Sequence, residues 1–559
     1  MTKKYKYALI LLLVVFGIGF FLRVYRLNQN TPELYSDEVG HYYYYHNFLD
    51  NGTSLLRKFF DISFTATLFA GLNPLGVRLM SAIFGTLTIL VGFYFAKVLA
   101  KTTQTNLYLR VALVFSFLLA ILPWNIAISR LGHTHVPINV FTGLLHLFLY
   151  LSAKNTLQKA LSFIPFLIGA YYYPTLILMS PLILIIPIKE MFWDNQKYRK
   201  QMFAFGAIFT LLILGFLVSK YQVFNTSSRG LDLAIWRDIN VTANSNLYRG
   251  LARQTDPSLF SLYQQPESLV SKLFYNYPLS IIFKFTENYL SFFTINNLFL
   301  KGDPILRHST GMTGNFYLFL LPFMLYGAYK FFTSSTKKDT KILIALWILA
   351  SPIPAAITKD GAGYLLRSIS LYPVLTLFCA FGLVYTLEIF KNYFAKLLFG
   401  VSLFGLFIFS FFYYFYGYFH VYPSLAKDSF EYGFKSLSDF QQKENSSLLI
   451  IWEDKYPYSQ FCFWQKLPFT VCNPSKTNTR ETLGQSRVDL PSNNIFFSLP
   501  KNENDLQQII KKYQPDFIAL STRFLANYPK VFLSLELVDT IKNPDNTISF
   551  YIYQVEKIN

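Results

Sequence analysis

Lys6-Tyr7-Ala8-Leu9-Ile10-Leu11-Leu12-Leu13-Val14-Val15-Phe16-Gly17-Ile18-Gly19-Phe20-Phe21-Leu22-Arg23 decides the fold. From Tyr7 to Leu22 no side chain carries charge, and lysines precede the run. About 20 consecutive apolar residues let a helix cross the hydrocarbon core of a bilayer, and this run comes close to that. A cleaved signal peptide has the same beginning, but no small-x-small site follows, and Arg23, Tyr25 and Arg26 come next. The run therefore reads as an uncleaved first span with its N-terminus in the cytoplasm.

The rest of the chain repeats the pattern. Of its 559 residues 53% are hydrophobic and 19% aromatic, and only 14% are charged, against about 25% in soluble proteins. Further spans are predicted at 74–96, 109–128, 136–152, 160–173, 175–188, 202–219, 314–332, 342–357, 368–387 and 397–418, giving about 11 transmembrane helices. The predicted fold is a polytopic α-helical membrane protein. Residues 1–418 form its transmembrane domain, with outer loops at 23–72 and 220–312, and 419–559 form a small α/β domain outside the cytoplasm. Within 220–312, the aromatic stretch 277–300 is broken by Lys284, Glu287 and Asn288, so it reads as a surface or re-entrant helix. The stretch 55–68 reads as an amphipathic surface segment.

Parity fixes the orientation. With the N-terminus inside, loops after even-numbered spans are cytoplasmic. Those loops and their flanks hold Lys97, Lys101, Lys154, Lys159, Lys189, Lys197, Arg199, Lys200, Lys337, Lys338, Lys341, Lys391 and Lys396, which is positive-inside bias. The formal charge of +19 follows from that bias and from contact with anionic headgroups. No basic stripe with interleaved aromatics points to nucleic acid. The expected location is the plasma membrane.

In 419–559, Leu448–Trp452 and Asp516–Leu520 read as strands, Asp505–Tyr513 as a helix, and Phe550–Tyr553 as a strand closing a sheet. No Gly-rich phosphate loop is present. Three cysteines make no disulfide framework. Cys379 lies in an apolar span, while Cys462 and Cys472 are open to a bridge or to two separate thiols.

Parity also collects the ionisable residues at one rim. Asp37, Glu38, His41, Arg78, Arg130, His133, His135, Arg237, Asp238, Arg307, His308, Lys359, Asp360 and Arg367 all fall on the non-cytoplasmic side. A transporter would place such groups near the midplane. A rim of carboxylates and arginines at headgroup depth suits interfacial chemistry: a carboxylate as base, and arginines on a lipid phosphate. The same parts could serve phospholipid hydrolysis. Taken singly, an Asp-Glu pair is a solvated turn, an Arg at a span end snorkels, and His133-Thr134-His135 lacks a third metal ligand. The tyrosine runs read as interfacial belt residues.

Several stretches together resemble the membrane glycosyltransferases of the protein O-mannosyltransferase and aminoarabinose-transferase superfamily, in the bacterial branch called RgtA/B/C/D-like. Ser36-Asp37-Glu38 stands where that family carries its acidic motif. Asn73–Thr88 is similar to its second span, Pro123–Arg130 to its third-span ending, and Gly302-Asp303-Pro304…Arg307-His308 and Pro352–Ser368 to late motifs. The resemblance covers residues 1 to about 390. The first outer loop is shorter than in many relatives, and only Asn73-Pro74-Leu75 approximates their Pro-Pro-Leu element. The resemblance implies a GT-C fold, a polyprenyl-phosphate sugar donor, and hexosyl or pentosyl transfer with inversion outside the cytoplasm. It implies Asp37 as the base that activates the acceptor and Glu38 as its support. Arg130, Arg307, His308 and Arg367 become candidates for the donor phosphate. Some relatives bind a divalent metal in the outer loops, but no ligand set appears here and no required metal or other cofactor is expected. The acceptor is open among protein, lipid and polysaccharide. Two other readings stay open: a flippase of lipid-linked glycan intermediates, and a non-catalytic glycan-binding member.

Overall fold

The computed structural model describes residues 3–30, 33–49, 65–103, 106–192, 232–255, 269–452, 457–472, 489–500, 503–527 and 535–555. The chain divides into two compact units. The first comprises residues 1–22, 84–128 and 135–411; the second comprises 23–83, 129–134 and 412–559.

Among the described residues, six helices are long and apolar enough to cross a membrane: Lys3–Val24, Pro74–Thr102, His135–Ser152, Lys338–Ala356, Leu371–Ile389 and Tyr393–Leu425. A seventh span is possible if Tyr108–Ile121 and Pro123–Ser129, bent by 54° at their junction, are taken as one. The bend has a local cause. Leu122 precedes Pro123 and is extended, at φ −71° and ψ 140°, as the proline ring requires of the residue before it. These seven coincide with seven of the eleven expected spans.

Three of the remaining four expected spans differ. The segment at 160–188 forms three short helices, Phe163–Tyr172, Thr175–Ile183 and Ile185–Phe192. Pro174 opens the second and Pro181 lies within it, and proline withholds the N–H that a continuous ladder needs. The helical part of 314–332 begins only at Leu318 and ends at Thr333. The expected span at 202–219 lies outside the described residues, as does most of the surface stretch 55–68. The stretch 277–300 is a helix over Tyr277–Ser291, followed by a π turn at Asn296–Leu300. The Asn276 side chain caps the helix by accepting from the Leu279 amide at 2.9 Å.

Within the first unit, Leu321–Thr333 packs closely on Leu371–Ile389. A Cβ built on Gly327 would lie 1.8 Å from the Phe378 carbonyl oxygen, and one on Gly382 would lie 1.8 Å from that of Phe323. Each glycine therefore admits the other helix's backbone. Lipid offers apolar contact as good as another helix does, so spans associate through such close backbone approach.

The second unit is built on a five-stranded sheet. Its strands are β1 (Leu448–Ile451), β2 (Ile495–Ser498), β3 (Phe517–Ser521), β4 (Glu536–Lys542) and β5 (Ile548–Gln554), in spatial order β2-β1-β3-β5-β4. β1 pairs in parallel with β2 and β3, and β5 runs antiparallel to β3 and β4. The predicted strands are β1, β3 and β5, and the predicted helix is Glu503–Tyr513. Strand alternation sends Leu448 and Ile450 to one core and Leu449 and Ile451 to the other. The first core also contains Leu34, Val39, Tyr42, Leu72 and Val77. The segment around Asp37 and the sheet thus share one hydrophobic interior. Cys462 and Cys472 form a disulfide, and Cys379 is a buried free thiol.

Gly382→Val should lower the thermal unfolding temperature of the detergent-solubilised protein, because the added side chain has no room beside the Phe323 carbonyl. Overpacking of this kind costs about 1–3 kcal/mol. Gly400→Val, where no atom lies within 4 Å of the built Cβ, should leave the unfolding temperature unchanged.

Candidate functional site

In the second unit the acidic pair lies on a single helical turn, Ser36–Val39. Successive residues of a helix point about 100° apart, and this separates the two carboxylates. Asp37 is exposed, whereas Glu38 is fully buried.

Glu38 is saturated with donors. Its Oε1 accepts from Arg78 Nε at 2.8 Å and from the Gly132 amide at 2.7 Å; its Oε2 accepts from Arg78 Nη2 at 2.8 Å. Arg78 is 1% exposed and also donates to the carbonyls of Glu33 at 2.9 Å and Leu27 at 3.4 Å. The planar guanidinium matches the carboxylate with two parallel bonds. Gly132 is required by space, since a Cβ there would lie 2.6 Å from Val77 Cγ1 and 3.0 Å from Glu38 Cγ. The Gly132 carbonyl is 2.9 Å from His41 Nε2. Burial pushes the His41 pKa down.

The structure places Arg130 in the interior of this unit. Its Nε donates to the Tyr418 hydroxyl at 3.0 Å, and its Nη1 to the carbonyls of Tyr25 at 2.9 Å and Arg23 at 3.1 Å. Its guanidinium also lies over the rings of Tyr418 and Phe419. Glu33 is buried, and its Oε2 accepts from the Lys435 amide at 3.1 Å, at the start of the helix Phe434–Glu444. Burial raises its pKa to about 7 despite the amide bonds that oppose the shift.

In the first unit, two loops carry the other candidates. Asp303 ties them together. Its Oδ1 accepts from the Ile305 amide at 2.7 Å; its Oδ2 accepts from the Leu365 amide at 2.7 Å and faces His308 Nδ1 at 2.8 Å. The His308 ring packs on Tyr364 at 4.9 Å, and the Arg367 guanidinium covers the Tyr364 ring at 4.1 Å. Arg367 donates to Thr358 Oγ1 at 2.7 Å and to both oxygens of Asp360, at 2.6 and 3.3 Å. Burial pulls the Arg367 pKa down, but the bonds to Asp360 and its charge hold it above the ordinary value. Arg307 is half-buried beside His308. Gly363 turns the second loop with φ +69°, and its carbonyl accepts from the buried Asn297 side chain at 3.2 Å. His308 and Arg367 therefore meet on the Tyr364 ring in a cluster that also holds Asp303 and Asp360, with Arg307 next to His308 in the chain, while Asp37, Glu38 and Arg130 belong to the second unit.

Among the described residues, no group of three His, Cys, Asp or Glu side chains could hold a metal ion. Sequence reasoning missed Arg78 as the partner of Glu38, Asp303 as the tie between loops, and Gly132. A signal for Arg78 existed, because it is a charge in the first turns of an apolar helix on the same side as the acidic pair. Asp303 stood in the quoted motif Gly302-Asp303-Pro304 without a role, and nothing local marked Gly132.

No family model matches the sequence, and no curated protein matches it. Solved structures do. The apo oligosaccharyltransferase of Archaeoglobus fulgidus is 15% identical, with a TM-score of 0.49 over 98% of this chain and 74% of that one. The same protein with zinc and sulfate is 15% identical, with a TM-score of 0.45 over 97% and 72%. ArnT of Cupriavidus metallidurans bound to undecaprenyl phosphate is 11% identical, with a TM-score of 0.40 over 98% and 97%.

Two outcomes are expected here. Glu38→Ala or Arg78→Ala alone should destabilise the protein by about 3–5 kcal/mol, because each leaves a buried charge without its partner. The double variant should cost less than the sum of the two, as thermal unfolding in detergent will measure. The second outcome concerns pH. Glu33 has a folded-state pKa of about 7 against an ordinary 4.5, so the folded protein binds the proton more tightly. The resulting stability is fully present below the unfolded pKa and is lost as pH rises through the folded value. Wild type should therefore lose up to about 3 kcal/mol relative to Glu33→Gln as pH rises from about 4.5 to above 7, measured as the difference between the two stability–pH profiles.

Proposed function

We propose that this chain is a GT-C-type membrane glycosyltransferase that transfers a hexosyl or pentosyl group from a polyprenyl-phosphate donor to an acceptor outside the cytoplasm. One observation carries the reading: the acidic pair is divided, with Glu38 buried and fully bonded and Asp37 exposed on the turn that Glu38 anchors. A carboxylate that is held in place yet accessible is what a general base requires. The motif order in the sequence supports the same reading.

In the proposed reaction Asp37 accepts the proton of an acceptor hydroxyl. The hydroxyl oxygen bonds to the anomeric carbon as that carbon's bond to the phosphate oxygen breaks, with inversion. The bonding electron pair leaves with the polyprenyl phosphate, which gains a negative charge. Arg307 and Arg367, with His308 beside them, are assigned to the donor phosphate, since guanidinium groups pair with phosphate in bidentate fashion. Arg130 is assigned to holding the second unit, given its buried bonds to Tyr418 and to backbone carbonyls. Glu38 and Arg78 are positioning residues.

The proposed topology has the N-terminus in the cytoplasm and the region 419–559 outside. The disulfide Cys462–Cys472 supports that side, because such bonds persist in oxidising compartments.

Asp37→Asn should reduce sugar transfer from a polyprenyl-phosphate sugar by at least about 100-fold, within the range expected for loss of a general base. Expression and the unfolding temperature should stay at wild-type values, because Asp37 is exposed. Transfer at the wild-type rate would overturn the assignment.

A further inference from the structure

Partners of the acidic turn come from far along the chain, and they flank it on both sides. Upstream of Asp37, Gln460 Nε2 donates to the Leu34 carbonyl at 3.0 Å and to Glu431 Oε2 at 2.8 Å. The other oxygen of Glu431 accepts from the Ser36 amide at 3.4 Å. Glu431 itself has φ +52°, a left-handed conformation that non-glycine residues seldom adopt. Downstream, the Tyr42 hydroxyl donates to the Leu467 carbonyl. His46 stacks on Phe469 with ring centroids 5.9 Å apart.

Gln460, Leu467 and Phe469 lie in one segment, Pro457–Cys472, whose helix runs over Pro457–Trp464. The buried bridge between Cys462 and Cys472 closes residues 462–472 of that segment into a ring. Closing a ring removes conformations that the open segment would otherwise sample. Gln460 lies just before the ring, while Leu467 and Phe469 lie inside it.

We propose that the disulfide-closed segment 457–472 is a clamp that straddles the acidic turn and holds Asp37 in position, with Gln460 as its main positioning residue. The role in catalysis rests on reading Asp37 as the working carboxylate; the holding of the turn does not. The clamp assigns the C-terminal region a part in building the site itself.

Hydrogen–deuterium exchange on the full-length protein in nanodiscs tests the clamp without reference to activity. The reporters are the amides of Glu38, Val39 and Gly40, which donate to Tyr35, Tyr35 and Ser36 at 2.8, 3.0 and 3.1 Å. Gln460→Ala and Cys462→Ala/Cys472→Ala should each raise exchange over residues 34–43 by about tenfold, the scale of one or two lost hydrogen bonds. Exchange over 371–389 should not change. If the cysteine variant instead exchanges throughout β1–β5, it has lost its fold, and Gln460→Ala alone decides. Exchange at 34–43 within twofold of wild type in Gln460→Ala overturns the clamp. In the transfer assay Gln460→Ala should lower kcat about tenfold and leave KM for the donor unchanged, whereas a loss confined to KM would overturn its positioning role. Transfer that persists in Asp37→Asn would remove the glycosyltransferase reading and leave the exchange result standing.

Discussion

The ion pair between Glu38 and Arg78 is the constraint on which the acidic turn depends. Two charges sit where almost no water reaches, at 0% and 1% exposure. Taking them out of water costs several kcal/mol per ion, and their attraction offsets this only if every lone pair and N–H finds a partner. The chain supplies those partners from three segments. Glu38 and the carbonyls of Leu27 and Glu33 come from the stretch between the helices Lys3–Val24 and Pro74–Thr102, Arg78 from the start of the second of these, and the Gly132 amide from the turn between Pro123–Ser129 and His135–Ser152. These segments cannot move independently without exposing a charge or leaving one bare. The rigidity of the turn that presents Asp37 follows from that electrostatic accounting more than from its own four helical residues.

The legible part of the fold was whatever has a local period or a local breaker. Apolar runs marked the long spans. Short apolar runs bounded by polar residues marked β1, β3 and β5. β4 was missed because Glu536–Lys542 is a mostly exposed edge strand with charged residues, so it lacks the apolar run expected of a strand. Pro174 was read as the break between two spans, and one helix does end before it and the next begin after it, but the stretch around Pro181 still read as continuous. The site was legible as residue types that the expected topology gathers on one side. It was not legible as pairings, because the partner of Glu38 lies 40 residues away and the partner of the Leu34 carbonyl 426 residues away.

The arginines show how little the residue type says. Arg130 and Arg367 look alike in sequence, each standing at one end of an expected span. Arg130 has its guanidinium committed to the interior, to a tyrosine hydroxyl and to main-chain carbonyls. Arg367 pairs with Asp360, which is 43% exposed. Arg367 itself is 15% exposed, and its partner, unlike those of Arg130, is a side chain that reaches solvent. The two guanidiniums therefore differ in whether their partners reach solvent, a property set by burial and not by charge.

The distance along the chain between Leu34 and Gln460 also has a meaning in time. Ribosomes add about 5–20 residues per second, so the acidic turn emerges on the order of tens of seconds before the segment that holds it. Throughout that interval the early spans can already be in the bilayer while Leu34, Ser36 and Tyr42 wait for their later partners. A chain interrupted before Cys472 would keep its membrane helices and lack the ring that closes on the turn. On the proposed clamp, oxidation of one cysteine pair, made hundreds of residues after the turn, completes the hold on it.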